Sequence, residues 1–301
     1  MGVQNDEAIT LSQTLVDNDS AHLLGRLDRA NIRWDIERLR LTMGRQAVSF
    51  GKGRLFMPLD LVAPFRPTTL DTSYKPGVDV ARADLFQGLS GQFTLLAAYL
   101  NDWSREGTAL VFNGKVSVGD WELEVFSGGI HGDVVLGGSA FFNGGDIGYY
   151  GDLNLTQGVD EDFVRAVVGA LYMPTPKTTL IAELYGQSLG TRDTEEYGDL
   201  YALPRYQRGE IWLANQIYGA VSGYYEWTPL VQAGGTVIIN YIDTSALFMP
   251  SLIWSIDERL SLSAGMLFGL GKGGQDFATL SQRTEFGLAP TSAFLHASFY
   301  F

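Results

Sequence analysis

The chain contains no cysteine. A disulfide framework, a thiolate metal site and a cysteine nucleophile are therefore excluded. Charge is scarce too. Only 18% of the 301 residues are charged, against roughly 25% in a typical globular domain. No stretch reaches the roughly 18–20 continuous apolar residues of a membrane helix; LVFNGKVSVGDWELEVF is interrupted by polar residues at every second or third place. The opening MGVQNDEAITL lacks the basic-then-apolar order of a secretory leader, so an export signal is expected to be absent from this sequence. The net charge of −13 argues against a nucleic-acid partner. That charge is uneven: residues 26–82 sum to +5 and the remainder to −18.

Helical periodicity is equally scarce, and alternation takes its place. In LSLSAGMLFG, Leu260, Leu262, Ala264, Met266 and Phe268 share one face. In DWELEVF, Trp121, Leu123 and Val125 oppose Asp120, Glu122 and Glu124. The alternating runs are about 10–13 residues long. Soluble strands average about 5–6 residues, whereas a tilted membrane-crossing strand needs about 9–11. Aromatics cluster near strand ends, at Trp34, Tyr99, Trp121, Tyr172, Trp227, Tyr241 and Trp254. Length and aromatic ends favour a barrel in lipid over a soluble sandwich.

Connections alternate between tight (119–120, 174–177, 228–229, 257–258) and long (51–75, 101–107, 189–215, 271–290). Short turns on one side and long loops on the other are expected of a membrane barrel. The reading is one all-β domain over residues 1–301, a single antiparallel transmembrane β-barrel. Fifteen strands are counted from residue 24 to 301. An even number is expected, so residues 8–15 are assigned as the sixteenth; fourteen is the alternative.

Residues 51–75 form a long inserted loop with the chain's most unusual composition. Two of its prolines are Pro58 and Pro64, and its apolar residues, such as Phe56 and Leu59, need something to pack on. Two placements are open: a constriction or plug inside the lumen, or an ordered outer cap. The candidate residues are Arg54, Pro58, Asp60, Arg66, Asp71 and Lys75. Around this loop, alternation turns Arg29, Arg33, Arg40, Arg82 and Asp84 inward. Arg45 has the opposite parity and needs a bulge near Gly44 to join them. Guanidinium groups in series make a track for carboxylate, sulfate or phosphate, with Glu122, Glu124, Glu183 and Glu226 as inward acids opposite. The competing reading is a neutralised Arg–acid network that rigidifies a closed lumen.

No catalytic set declares itself around His22, His131 and His296, and no metal site or cofactor is expected. The acidic run 160–162 has the chemistry to bridge lipopolysaccharide through divalent cations, though a solvated loop is the simpler reading.

The terminal FLHASFYF resembles the closing signature of bacterial outer-membrane proteins, with Phe299 and Phe301 at its aromatic positions. That resemblance implies recognition of Phe301 by the barrel-assembly machinery. A second resemblance covers residues 44–82: Gly44-Arg45-Gln46, Pro58-x-Asp60 and Tyr74-Lys75-Pro76-Gly77-x-Asp79 look like a segment of porin-like and alginate-export-like barrels. It implies an integral outer-membrane protein in contact with lipid and lipopolysaccharide. The functional expectation is a porin or export channel for a small polar solute, anionic or saccharide. The alternative is a plugged barrel scaffolding a lipoprotein or periplasmic partner. A barrel hydrolase comes third.

Overall fold

The computed structural model describes residues 12–18, 21–27, 29–64, 75, 77–272 and 284–299. A short hairpin comes first, β1 (Ser12–Asn18) with β2 (Ala21–Arg26). Fifteen strands then form one sheet in which every neighbour is next in sequence and antiparallel. They are β3 (Ala30–Ile36), β4 (Leu39–Gln46), β5 (Val78–Gln87), β6 (Gly91–Tyr99), β7 (Thr108–Val118), β8 (Trp121–Ile130), β9 (Asp133–Asn143), β10 (Ile147–Gln157), β11 (Phe163–Thr175), β12 (Thr178–Gln187), β13 (Ile217–Thr228), β14 (Val231–Asn240), β15 (Ala246–Ser255), β16 (Leu260–Leu270) and β17 (Ser292–Phe299). The outer strands of this sheet are β3 and β17, and the odd count makes them run in the same direction.

The all-β, antiparallel barrel expectation holds, and each of the fifteen strands counted from residue 24 has its counterpart. The sixteenth does not. Residues 12–15 of the assigned 8–15 strand fall in β1, which pairs with β2 and not with the large sheet. The expected strand 24–36 is also divided, its first residues belonging to β2 and the rest to β3.

Two kinds of connection separate the ends of the sheet. At one end, 37–38, 88–90, 119–120, 144–146, 176–177, 229–230 and 256–259 are tight turns. Gly119 adopts φ +58° in its two-residue turn, a conformation that favours glycine. The other end carries 47–77, 100–107, 158–162, 188–216 and 271–291, together with shorter turns at 131–132 and 241–245. Within 188–216 lie a 3-10 turn (Thr194–Glu196), α1 (Tyr197–Ala202) and α2 (Pro204–Gln207).

Alternation sorts the side chains. Val125, Leu136, Val168 and Val221 are more than half exposed on the outer face, while Leu96, Val111, Tyr218 and Ile238 are fully buried inside. Each exposed large apolar side chain forgoes roughly 1.5–3 kcal/mol of burial in water. A continuous belt of them fits hydrocarbon and not water. Trp34, Trp121, Tyr172, Trp227 and Trp254 lie on that face toward the tight-turn rim, where amphipathic rings match a lipid–water boundary. No helix among the described residues is long and apolar enough to cross a membrane.

Candidate functional site: an inward loop and an arginine groove

The loop after β4 turns into the space enclosed by the sheet, and its backbone explains why. Residues 51–56 make no strand or helix, so their N–H groups need other acceptors. The wall supplies carboxylates. Gly51 N donates to Glu124 Oε1 (3.3 Å). Lys52 N and Gly53 N donate to Asp152 (2.8 and 2.9 Å). Arg54 N, Leu55 N and Phe56 N donate to Glu183 (2.7, 3.1 and 2.7 Å). Six consecutive amides are thus spent on three acids from β8, β10 and β12. Successive amides make such anion-binding concavities, and bonds to ionised acceptors are the stronger kind. Gly51 is required twice over: its φ is +88°, and a Cβ there would stand 2.5 Å from Asp152 Oδ2. Lys52 Nζ pairs with Glu122, Tyr150 OH donates to Glu183 (2.6 Å), and Asn154 Nδ2 donates to the Pro58 carbonyl (3.1 Å).

Apolar packing completes the docking. Phe56 stacks on Tyr185 with ring centroids 4.9 Å apart, and its cluster includes Val167, Tyr218, Ile238 and Leu267. Val48, Phe50, Leu59, Leu61 and Val62 pack against residues of β5 to β9, and Phe50 meets Phe126 edge-on at 5.0 Å. The loop therefore joins both sides of the interior. At its base, buried Lys75 Nζ donates to Asp60 Oδ1 (2.5 Å) and Oδ2 (2.6 Å) and to Ser49 Oγ (2.7 Å). Burial pulls the Lys75 ammonium below its ordinary value, and Asp60 opposes that pull.

Inward faces of β3 to β6 form a separate groove of about 350 Å³, lined by Arg33, Arg40, Arg82, Asp84, Thr42 and Gln92 among others. Arg82 Nε meets both oxygens of Asp84 (3.0 and 2.8 Å), and Asp84 also accepts from Gln92 and Thr94. Arg40 pairs with Asp35 (2.6 Å) and lies over the Phe86 ring. Arg33 has no ion pair among the described residues. Among the described residues, three arginines against two aspartates leave this groove positive.

Several sequence expectations change here. Arg45 does not join the groove. Despite φ +120° at Gly44, the register runs on with no extra residue. Arg45 stays opposite Asp79, bonded to it bidentately (2.9 and 2.8 Å) and to the Leu27 carbonyl. Arg29 stands before β3 and donates to the Lys75 carbonyl (3.3 Å). Glu122, Glu124 and Glu183 face inward as alternation requires, but they hold the loop instead of forming an uncompensated acidic wall. Glu226 lies near the tight-turn end of β13, away from them. In the loop, Arg54 and Pro58 contribute backbone atoms to docking and the Arg54 side chain is exposed. Arg66, Asp71 and Phe301 lie outside the described residues. Asp152 was missed, although a lone aspartate on the inward side of GYYGDLNLTQ is a readable signal.

A second polar knot was also missed, because it centres on Glu285 in a loop. Glu285 accepts from Ala214 N (2.7 Å), Asn240 Nδ2 (2.8 Å) and the hydroxyls of Tyr201 and Tyr218. Its own N–H donates to Asp243 (2.6 Å), which also accepts from Tyr197. Burial pushes the Glu285 carboxyl up to about 7. Between the inward loop and the 100–107 and 188–216 connections, a mouth of about 510 Å³ opens at the long-loop end, with Pro64, Asp102, Glu106, His131 and Arg208 in its lining.

No protein-family profile matches the chain, and no curated protein matches it in sequence. Its fold is similar to that of solved bacterial outer-membrane proteins. OccK10 (OpdN) of Pseudomonas aeruginosa aligns at a TM-score of 0.54 and 9% identity, covering 79% of this chain and 77% of that one. A BenF-like porin from Pseudomonas fluorescens Pf-5 aligns at 0.52 and 8%, covering 79% and 71%. OccAB4 of Acinetobacter baumannii aligns at 0.52 and 9%, covering 81% and 70%.

Proposed function

We propose that this chain is an integral outer-membrane channel for small polar solutes, with a preference for anions. The observation that carries the reading is the division of the interior. The docked loop fills the space between β5 and β16 with apolar side chains, while the positive groove of Arg33, Arg40 and Arg82 stays open along β3 to β6. An anionic group moving along that groove meets fixed guanidinium donors in sequence. The named folds it resembles include a porin, which agrees with this reading. In the proposed orientation the long loops face outward and the tight turns face the periplasm. Lipid then surrounds the apolar belt, lipopolysaccharide meets the long-loop rim, and the C-terminal residues serve the assembly machinery.

The test is conductance in a planar bilayer. We expect an ohmic current with a reversal potential favouring the anion under a salt gradient, and a shift toward non-selectivity when Arg33, Arg40 and Arg82 are replaced by Gln. Absence of current from correctly folded protein rejects the channel. The fully buried packing of Phe56 and Leu59 supports a second reading, a plugged scaffold for a lipoprotein or periplasmic partner. In that case the native chain is silent, and current appears only after the loop is deleted.

A further inference from the structure

Arg165, on the inward face near the start of β11, is 3% exposed. Its Nη1 donates to the Glu210 carbonyl (3.0 Å), and its guanidinium lies over the Phe163 ring. Its Nε and Nη2 have no hydrogen-bond partner, and no carboxylate is within ion-pair distance among the described residues. Buried charges are ordinarily paired, so this arrangement needs an explanation. Arg165 lines a small cavity of about 20 Å³ where three parts of the molecule meet: Phe56, Pro58 and Pro64 of the inward loop, Tyr185 and Gln187 of the wall, and the 210–213 segment of the outer loop.

Among the described residues, nearby groups do not neutralise it. The Glu210 carboxylate is engaged by Arg205 and Arg208, and Asp133 is engaged by Arg205. Three arginines therefore face two carboxylates, leaving one positive charge over. Gln187 is spent as well: its amide donates to the carbonyls of Leu213 and Asn215, and its oxygen accepts from Tyr185. We propose that Arg165 is the centre of a buried binding site for a monatomic anion, chloride under ordinary conditions, which locks the inward loop to the wall and the outer loop. Size points to the class. The cavity, about 20 Å³, has room for one group near the size of water, and a monatomic anion is the smallest group that brings the missing charge. Charge then favours chloride over water, since water accepts from Nε and Nη2 without compensating the arginine.

The site is independent of conduction and is tested without it. Folded protein in detergent is melted in sodium chloride and in sodium gluconate at equal ionic strength. The expected result is a saturable upward shift in chloride, on the order of 3 °C when chloride is tenfold above half-saturation. The shift should vanish in Arg165→Gln and persist in Arg33→Gln. Crystals grown in bromide should show an anomalous peak within hydrogen-bond reach of Arg165. This measurement decides the matter on the native chain if Arg165→Gln does not fold. Melting that is indifferent to halide overturns the proposal. So does water-strength density without an anomalous signal, or a bromide peak with no melting shift, which means binding at crystal concentration only.

Discussion

Replacing Glu183 by Gln should release the inward loop while leaving the barrel wall intact. The carboxylate is buried on β12 and accepts from three consecutive loop amides and from Tyr150. Hydrogen bonds to an ionised partner contribute about 1.5–3 kcal/mol each, against about 1 kcal/mol for neutral ones. Gln keeps the shape but holds one acceptor oxygen, and its NH₂ group turns donors toward donors. A loss of about 2–4 kcal/mol in docking follows, which raises the undocked population roughly 30- to 1000-fold. Trypsin reads this directly. Lys52 and Arg54 lie in the segment held by the carboxylates, so cleavage after them should accelerate in the variant. In a bilayer the same change should appear as longer or more frequent high-conductance episodes. Cleavage and current both indistinguishable from the native chain would refute the view that wall carboxylates hold the loop.

Other consequences can be checked separately. Glu285 is raised from 4.5 to about 7 in the folded chain, so the folded state holds the extra proton between those values. Its contribution is fully present below pH about 4.5 and is lost as pH rises through about 7, on the order of 3 kcal/mol. Protection of the 211–215 amides, corrected for the intrinsic pH dependence of exchange, should fall over that window, and Glu285→Gln should make it independent of pH; an unchanged profile in the variant rejects the assignment. Lys75→Met alone should destabilise the fold by about 3–5 kcal/mol by removing the ammonium that donates to buried Asp60 at 2.5 and 2.6 Å, and adding Asp60→Leu should recover part of it in denaturant titrations. Val125→Arg, on the outward face of β8, should cost about 2–4 kcal/mol when folding into vesicles; no penalty would argue against a lipid-facing belt.

How much of this was readable in advance follows from what alternation encodes. A period of two assigns a side chain to a face, so the fifteen strands from β3 to β17 and the inward direction of Arg33, Arg40, Arg82, Glu122, Glu124 and Glu183 were legible. Alternation does not encode which inward residues meet. The partners of Glu183 are backbone amides more than 120 positions away, and an amide carries no residue label. Arg45 was misjudged for a related reason: its charge suggested the lumen, but Asp79 directly opposite and the Leu27 carbonyl satisfy it where parity puts it. The Glu285 knot joins the connections at 214, 243 and 285 to Tyr218 and Asn240 at the long-loop ends of β13 and β14, and in those connections no periodicity exists to read. The sixteenth strand failed because an even count was imposed on a segment whose partner, β2, lies immediately beside it.

Sequence separation at the inward loop also sets an order of events during assembly. Residues 51–56 leave β4, yet their acceptors lie on β8, β10 and β12, about 70 to 130 residues further along the chain. Docking must wait until those strands stand in register, because long-range contacts follow closure of the intervening chain. The wall as far as β12 therefore has to stand before the loop can make these bonds. Until then Phe56 and Leu59 are without their apolar surroundings. Apolar side chains exposed during such an interval favour aggregation.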